Sequence, residues 1–180
     1  VVHCPTINLM YMNFPRIPEL VARGVKVALG SDGGSYRGLD LFTEMNVMMA
    51  GMSGYYGSPF MDHNVISPKD ALVMATRNGA SALMLGKAGA IKEGYLADLT
   101  IINIRKPHLT PLHDPFTLPF FATGEDVSDL IVDGKVIMRD RKVTTLEEDV
   151  IIKEATEFLP MVRERIQRIL LRSQYTNPVS

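Results

Sequence analysis

The run Val25-Lys26-Val27-Ala28-Leu29 restricts the possible folds more than any other stretch of this 180-residue chain. It is short, mostly apolar and bounded by Gly24 and Gly30, the pattern of a strand covered on both faces and hence of a parallel sheet between helical layers. What precedes it completes a unit. Val1-Val2 reads as the tail of a strand, His3 to Pro15 as a loop punctuated by Pro5, Asn8, Asn13 and Pro15, and Pro18-Glu19 as the opening of a short helix that Gly24 ends. Strand, loop, helix and strand in this order make a βαβ step, which joins parallel strands.

The second strand runs into Gly30-Ser31-Asp32-Gly33-Gly34-Ser35, and a helix is expected from about Asp40. Its apolar face carries Leu41, Met45, Met48, Met49 and Met52 at i, i+4, i+7, i+8 and i+11, a spacing at which methionine fills a core. Residues 51–60 read as a loop with its tip at Asp62-His63-Asn64. Ser67-Pro68-Lys69-Asp70 is a helix start, with Ser as cap, Pro in the first turn and an acid placed for a capping box. Helical pieces are expected up to Gly79 and from Ala80 to Leu85, with Gly86 as the stop.

Beyond Gly86 the chain changes character. Residues 99–104 are β-branched and apolar, 107–119 form a loop with four prolines, and Val127–Val132 reads as a strand that returns through an Asp133-Gly134 hairpin turn into residues 135–138. Residues 146–173 are helical in pattern, with Val150, Ile151, Ala155, Phe158, Leu159, Val162, Ile166, Ile169 and Leu170 on the apolar side and Pro160 placed to kink or split the helix. Three parts follow from these shifts: 1–88, 89–145 and 146–180.

Composition narrows the function classes. Nineteen Lys and Arg against 20 Asp and Glu leave a net charge of −1, which argues against nucleic acid or an acidic membrane as partner. No apolar run reaches the ~18 residues of a membrane span. The one cysteine, Cys4, can make no internal bridge and fits a reducing, cytoplasmic compartment.

Asp32 is the most suggestive single residue. It stands at the carboxyl end of a buried-type strand with Gly30, Gly33 and Gly34 around it, and in parallel α/β folds ligands bind outside such strand ends. A carboxylate there can bind a metal or move a proton, or it can cap its own loop through backbone hydrogen bonds. His3 holds the equivalent place one strand earlier, as a ligand-facing residue or a hydrogen-bonded structural one. Cys4, without a second cysteine or a nearby base, reads as a small inert hydrophobe. His63, His108 and His113 show no ligand spacing.

Five ordered segments carry a family resemblance: His3-Cys4-Pro5-Thr6-Ile7-Asn8-Leu9, Gly24 to Gly33, Ala75-Thr76-Arg77-Asn78-Gly79-Ala80, Gly94-Tyr95-Leu96-Ala97-Asp98-Leu99 and Val132-Asp133-Gly134-Lys135-Val136. Together they resemble successive motifs of the amidohydrolase superfamily, in the branch of cytosine, guanine and S-adenosylhomocysteine deaminases and triazine hydrolases. The segment Leu39 to Met45 also looks like the deaminase branch.

The resemblance implies an α/β fold: the last quarter of a (β/α)₈ TIM barrel, the C-terminal share of a β-sandwich, and a helical tail. It implies a divalent metal, zinc or else iron, with Asp32 as metal ligand and proton shuttle. It makes His3 a pocket-lining, substrate-binding residue. Ile7 stands where the family usually has serine, which removes a polar contact. The expected reaction is hydrolytic deamination of a purine, pyrimidine or triazine: a metal-activated water attacks the ring carbon and ammonia leaves. The expected partners are that small heterocycle and further copies of the chain. A complete barrel of this kind takes ~250 residues, so the valine start reads as a cut between the sixth and seventh strands, and the chain by itself is expected to be inactive. Two alternatives stand beside the aminohydrolase reading: a non-catalytic structural or interaction domain, and a cyclic-amide ring hydrolase of the same superfamily.

Overall fold

The computed structural model describes residues 1–11, 15–34, 38–62 and 65–176. Asn13 and Ser35, and His63 and Asn64 of the expected loop tip, lie outside them. By its internal contacts the chain divides into two compact units, Val1–Arg141 and Lys142–Ser180.

The first unit opens with the expected βαβ step. Strand β1 (Val2–His3) pairs in parallel with β2 (Ala28–Leu29), Val2 opposite Ala28 and His3 opposite Leu29. The pairing is closed by Ala28 N–H donating to Val1 O and Gly30 N–H to His3 O, each at 2.9 Å. Between them lie helix α1 (Pro5–Tyr11) and helix α2 (Ile17–Ala22), which ends before Gly24 at φ 74°. Helix α1 corrects the loop expected over His3 to Pro15. Pro5 occupies the first helical position, where its fixed φ suits the turn and its missing N–H costs nothing, so here it starts structure instead of breaking it.

Helix α3 (Leu41–Met52) starts at Asp40, whose side chain accepts from Phe42 N–H. Met45, Met48, Met49 and Met52 are buried as expected, and they join Ile17, Val27, Leu29, Ile66, Ala71 and Met74 in one core. Burial of each of these side chains other than Ala71 contributes about 1.5–3 kcal/mol. Leu41 departs from the pattern and is exposed, while Glu44 is buried. The stretch expected as a loop after Gly51 stays helical, through a wide π turn at Ser53–Gly57 and a 3₁₀ turn at Ser58–Phe60. Helix α4 (Pro68–Val73) carries the expected capping box of Ser67 and Asp70, and continues through a second π turn, Met74–Asn78, into α5 (Gly79–Ala82).

The β part is antiparallel. Strand β3 (Leu99–Ile102) pairs with β4 (Val127–Val132), and β4 with β5 (Lys135–Arg139). Asp133 and Gly134, at φ 49° and 75°, make the hairpin turn that sets Val132 opposite Lys135. The four-proline segment is a chain of short turns with helix α6 (Leu118–Phe121), and Asn46 of α3 donates to Phe120 O at 3.2 Å.

The second unit holds strand β6 (Lys142–Val143) and helix α7 (Glu148–Thr176). Pro160 lies inside α7 without dividing it. All nine positions of the expected apolar side are exposed. An apolar stripe is buried only where another layer faces it, and within its own unit α7 has only the two-residue β6. Among the described residues no helix is long and apolar enough to cross a membrane.

Candidate active site

Parallel pairing places the carboxyl ends of β1 and β2 side by side. Beyond β2 the chain enters a tight turn at Asp32–Gly34, with φ of 49°, 73° and 69° at Asp32, Gly33 and Gly34. Beyond β1, Cys4 leads into helix α1. The two ends enclose a cleft of about 190 Å³ lined by Val2, Cys4, Ile7, Asn8, Tyr11 and Asp32. Gly30 sits tightly between the strand ends, since a Cβ there would lie 3.2 Å from both Cys4 Sγ and Val2 Cγ1.

Asp32 therefore lines the cleft, as the strand-end position suggested. His3 is placed differently from the expectation that it lines the pocket. Its ring is 2% exposed and is not among the residues that form the cleft. Successive residues of a strand face opposite sides, so with Val2 and Cys4 toward the cleft, His3 turns into the protein behind it. There its Nδ1 meets Asn8 Oδ1 at 2.9 Å, and the same oxygen accepts Cys4 N–H at 3.3 Å. Burial lowers the His3 pKa, opposed by the Asn8 bond, so the ring is neutral at pH 7. A neutral ring facing an acceptor oxygen carries its proton on Nδ1.

Burial pushes the Cys4 thiol up; the Asp32 backbone hydrogen bond pulls the other way, and the Asp32 and Glu44 carboxylates add to the rise. Cys4 therefore stays protonated, in agreement with its reading as inert.

Two residues that sequence reasoning passed over organise this corner. Asn8 joins the cleft wall to His3. Glu44, 2% exposed, reaches from α3 and accepts Thr6 N–H at 2.9 Å, capping the start of α1. The available signal was an acid four residues before Met48, inside an otherwise apolar face.

The remaining histidines are not drawn into the cleft. His63 lies outside the described residues, His113 does not line it, and His108 bonds Asp126 at 3.1 Å. A larger surface cleft of about 570 Å³ is bordered by Arg77, Lys92, Tyr95, Met84, Leu85 and several small residues but has no carboxylate, histidine or cysteine in its wall. Among the described residues no three His, Cys, Asp or Glu side chains are placed to hold a metal ion. Asp32 offers one carboxylate to such a site and cannot form it alone.

Comparison with known proteins extends this picture. The Amidohydrolase family model matches residues 1–137. A 5′-deoxyadenosine deaminase from Methanocaldococcus jannaschii is 38% identical over 163 residues, covering 89% of this chain and 38% of that protein. A 5-methylthioadenosine/S-adenosylhomocysteine deaminase from Pyrococcus horikoshii is 40% identical over 156 residues, covering 84% and 36%. The chain thus spans less than two fifths of the length of these relatives. Among solved structures, an adenosine deaminase from Xanthomonas campestris with bound zinc superposes with a TM-score of 0.83 at 26% identity, over 91% of this chain and 37% of that one. An atrazine chlorohydrolase from Arthrobacter aurescens, complexed with zinc and atraton, shares the fold at 22% identity and a TM-score of 0.73, over 88% and 35%. The mixed α/β architecture is that of these TIM-barrel hydrolases. With its motifs in order and the family's pattern running through 137 of its 180 residues, the chain belongs to the amidohydrolase family.

Proposed function

We propose that this chain is the C-terminal share of a metal-dependent aminohydrolase that hydrolytically removes an exocyclic amino group from an N-heterocycle of the adenosine type. In this reading residues 1–88 belong to the barrel, 89–145 to the β-sandwich and 146–180 to a helical tail. The observation that carries it is the place of Asp32, at the end of a parallel strand and on the wall of a cleft shared with the neighbouring strand end. Relatives named as adenosine-type deaminases supply the substrate class.

The metal is zinc in this reading, with iron as the alternative, and it supplies an acidified water when bound. Since the described residues do not complete a metal site, the further ligands come from outside them. What this chain contributes is one carboxylate able to bind metal and accept a proton beside the bound heterocycle. Asp32 is the catalytic residue of that reading. His3 supports the cleft from behind through its bond to Asn8.

The test is ammonia release by the protein carrying this chain, from adenosine, 5′-deoxyadenosine, methylthioadenosine and S-adenosylhomocysteine, with guanine, cytosine and an aminotriazine for comparison. Turnover of an adenine nucleoside is expected, with a loss of about 10²–10⁴-fold in Asp32→Asn. Ring opening of a cyclic amide in place of deamination, or an Asp32→Asn variant as active as the parent, would overturn the reading.

A further inference from the structure

We propose that helix α7 is a self-pairing surface: its apolar stripe seats the α7 of a second copy of this chain, the two helices antiparallel about a two-fold axis near Pro160.

Ile151, Ala155, Phe158, Val162, Ile166 and Ile169 are spaced 4, 3, 4, 4 and 3 residues apart, close to the period of the helix, so the stripe they form runs straight along it. All six are exposed. A contiguous apolar stripe left open on a helix of 29 residues marks an interaction surface, and a straight one suits a partner lying along its length. Pro160 lies about 160° round the helix from the stripe, where its ring leaves the contact clear.

Charge selects the occupant. The first half of α7 carries Glu148, Asp149, Glu154 and Glu157 against Lys153, and the second half Arg163, Arg165 and Arg168 against Glu164. Acids in a first turn answer the helix macrodipole, whose influence fades within that turn, but Glu154 and Arg165 lie well inside the helix. Arg168 is already paired with Glu164 at 2.6 Å on its own helix. Neither Glu154 nor Arg165 has an opposite charge three or four residues away, and each has a like charge at i+3, Glu157 and Arg168 respectively. The two border the same edge of the stripe, eleven residues and about 16 Å apart. At that distance they cannot meet on one helix. Two helices running in opposite directions bring them together.

Their positions fit a two-fold axis. Glu154 and Arg165 are equally distant from a point between Leu159 and Pro160, while Ile151 with Ile169, and Phe158 with Val162, are equally distant from Pro160 itself. In an antiparallel pair related by such an axis, each edge of one helix faces the same edge of the other. Rotation about this shared centre sets Glu154 beside Arg165 of the second copy, twice. Along the stripe it sets Ile151 against Ile169, Phe158 against Val162, and the small Ala155 against Ile166. A parallel pair would place acidic half beside acidic half and basic beside basic. The antiparallel contact is apolar along its centre and charged at its edge, as protein interfaces are.

Sedimentation equilibrium of the chain Val1–Ser180 across the micromolar range tests the surface, and a dimer is expected. Glu154→Arg and Arg165→Glu should each raise the dimer Kd about 10-fold, since each turns two attractions into two repulsions, and combining them should return it to within about 3-fold of the parent. Val162→Glu, which sets a charge in the stripe, should leave a monomer. Orientation is read by air oxidation in a Cys4→Ser background. Leu159→Cys, beside its own copy at the axis, should form an intermolecular disulfide, and Ile151→Cys, about 25 Å from its copy, should not.

A parent that stays monomeric overturns the proposal, and a monomer whose thermal midpoint falls in Val162→Glu shows that its own chain covers the stripe. A dimer unmoved by Val162→Glu and by the charge reversals lies on another surface and overturns it equally. Single reversals that the double variant does not rescue, or crosslinking through Ile151→Cys and not Leu159→Cys, rule out the antiparallel pairing. None of these readouts depends on catalysis, so the proposal stands or falls apart from the deaminase reading.

Discussion

At the scale of single residues, charge placement separates two carboxylates. Asp32 lines the cleft, whereas Asp126 is 1% exposed and serves stability. Burial by itself would raise the Asp126 pKa, but hydrogen bonds from Lys106 at 2.8 Å, Thr123 N–H at 2.8 Å and His108 at 3.1 Å hold the carboxyl well below the usual range. A carboxylate whose pKa is lowered on folding contributes stability that is complete above its unfolded value of ~3.9 and is lost as pH falls through it toward the folded value. Urea titrations should therefore show Asp126→Asn less stable than the parent by about 1–3 kcal/mol at pH 7, with the gap narrowing steadily below about pH 5. A gap independent of pH would show that the ion pairs are not its source. The candidate site was legible in the sequence to the same uneven degree. Asp32 could be picked out because glycines and a strand end announce it, and strand ends are where parallel folds bind ligands. The direction of His3 could not be read, because a one-residue difference in where a two-residue strand pairs decides which face a side chain takes. Asn8 and Glu44 were hidden for another reason: their roles rest on partners that only the folded backbone brings near, 38 residues apart in the case of Glu44 and Thr6.

At the scale of elements, local signals with a single mechanism were readable and those with competing mechanisms were not. Ser67 with Asp70, Asp133-Gly134 and the methionine face of α3 each specify one local geometry, and each is found. Helix α5 shows the opposite case. Gly86 is the expected stop, yet the chain turns earlier, at Met84, which takes φ 58°. Met84 N–H bonds Ser81 O at 3.1 Å and Leu85 N–H bonds Ala80 O at 2.9 Å, the paired bonds of a Schellman ending. The geometry wants glycine two residues before the glycine that the sequence provides. A left-handed methionine costs about 1–2 kcal/mol, part of which glycine would return in unfolded-chain entropy. Met84→Gly should accordingly raise the urea midpoint by an amount equal to about 0.5–1 kcal/mol with no change in slope. The opposite sign is expected where backbone is crowded as well as left-handed. At Gly89, φ 77°, a Cβ would lie 2.9 Å from Arg77 Cα and from Thr76 O, so Gly89→Ala should cost at least about 2 kcal/mol.

At the scale of the whole molecule, the described residues form a cleft bearing one carboxylate, Asp32, and bring together no set of metal-ligating side chains. Three protein ligands are the least that a catalytic zinc requires, and the described residues bring together no such set. The nearest candidates are disqualified one by one. His3 is buried behind the cleft and is not part of its wall, burial raises the Cys4 pKa so that the thiol stays protonated, and His108 is bound to Asp126. Asp32 offers a single carboxylate, and a single carboxylate binds divalent ions too weakly to retain them through buffer exchange. Relatives of more than twice this length are named as deaminases, and the neighbour from Xanthomonas campestris holds zinc. The consequence for the chain Val1–Ser180 studied alone is specific. After dialysis against buffer with micromolar zinc, elemental analysis should find well under one zinc per chain, and no ammonia should appear from adenosine or 5′-deoxyadenosine. Adding zinc should leave the thermal midpoint almost unmoved, because only tight binding to the folded state stabilises it appreciably. One equivalent of zinc retained, lost again in Asp32→Asn, would show that Asp32 has ligand partners in this chain beyond those described, and would move the metal centre into it.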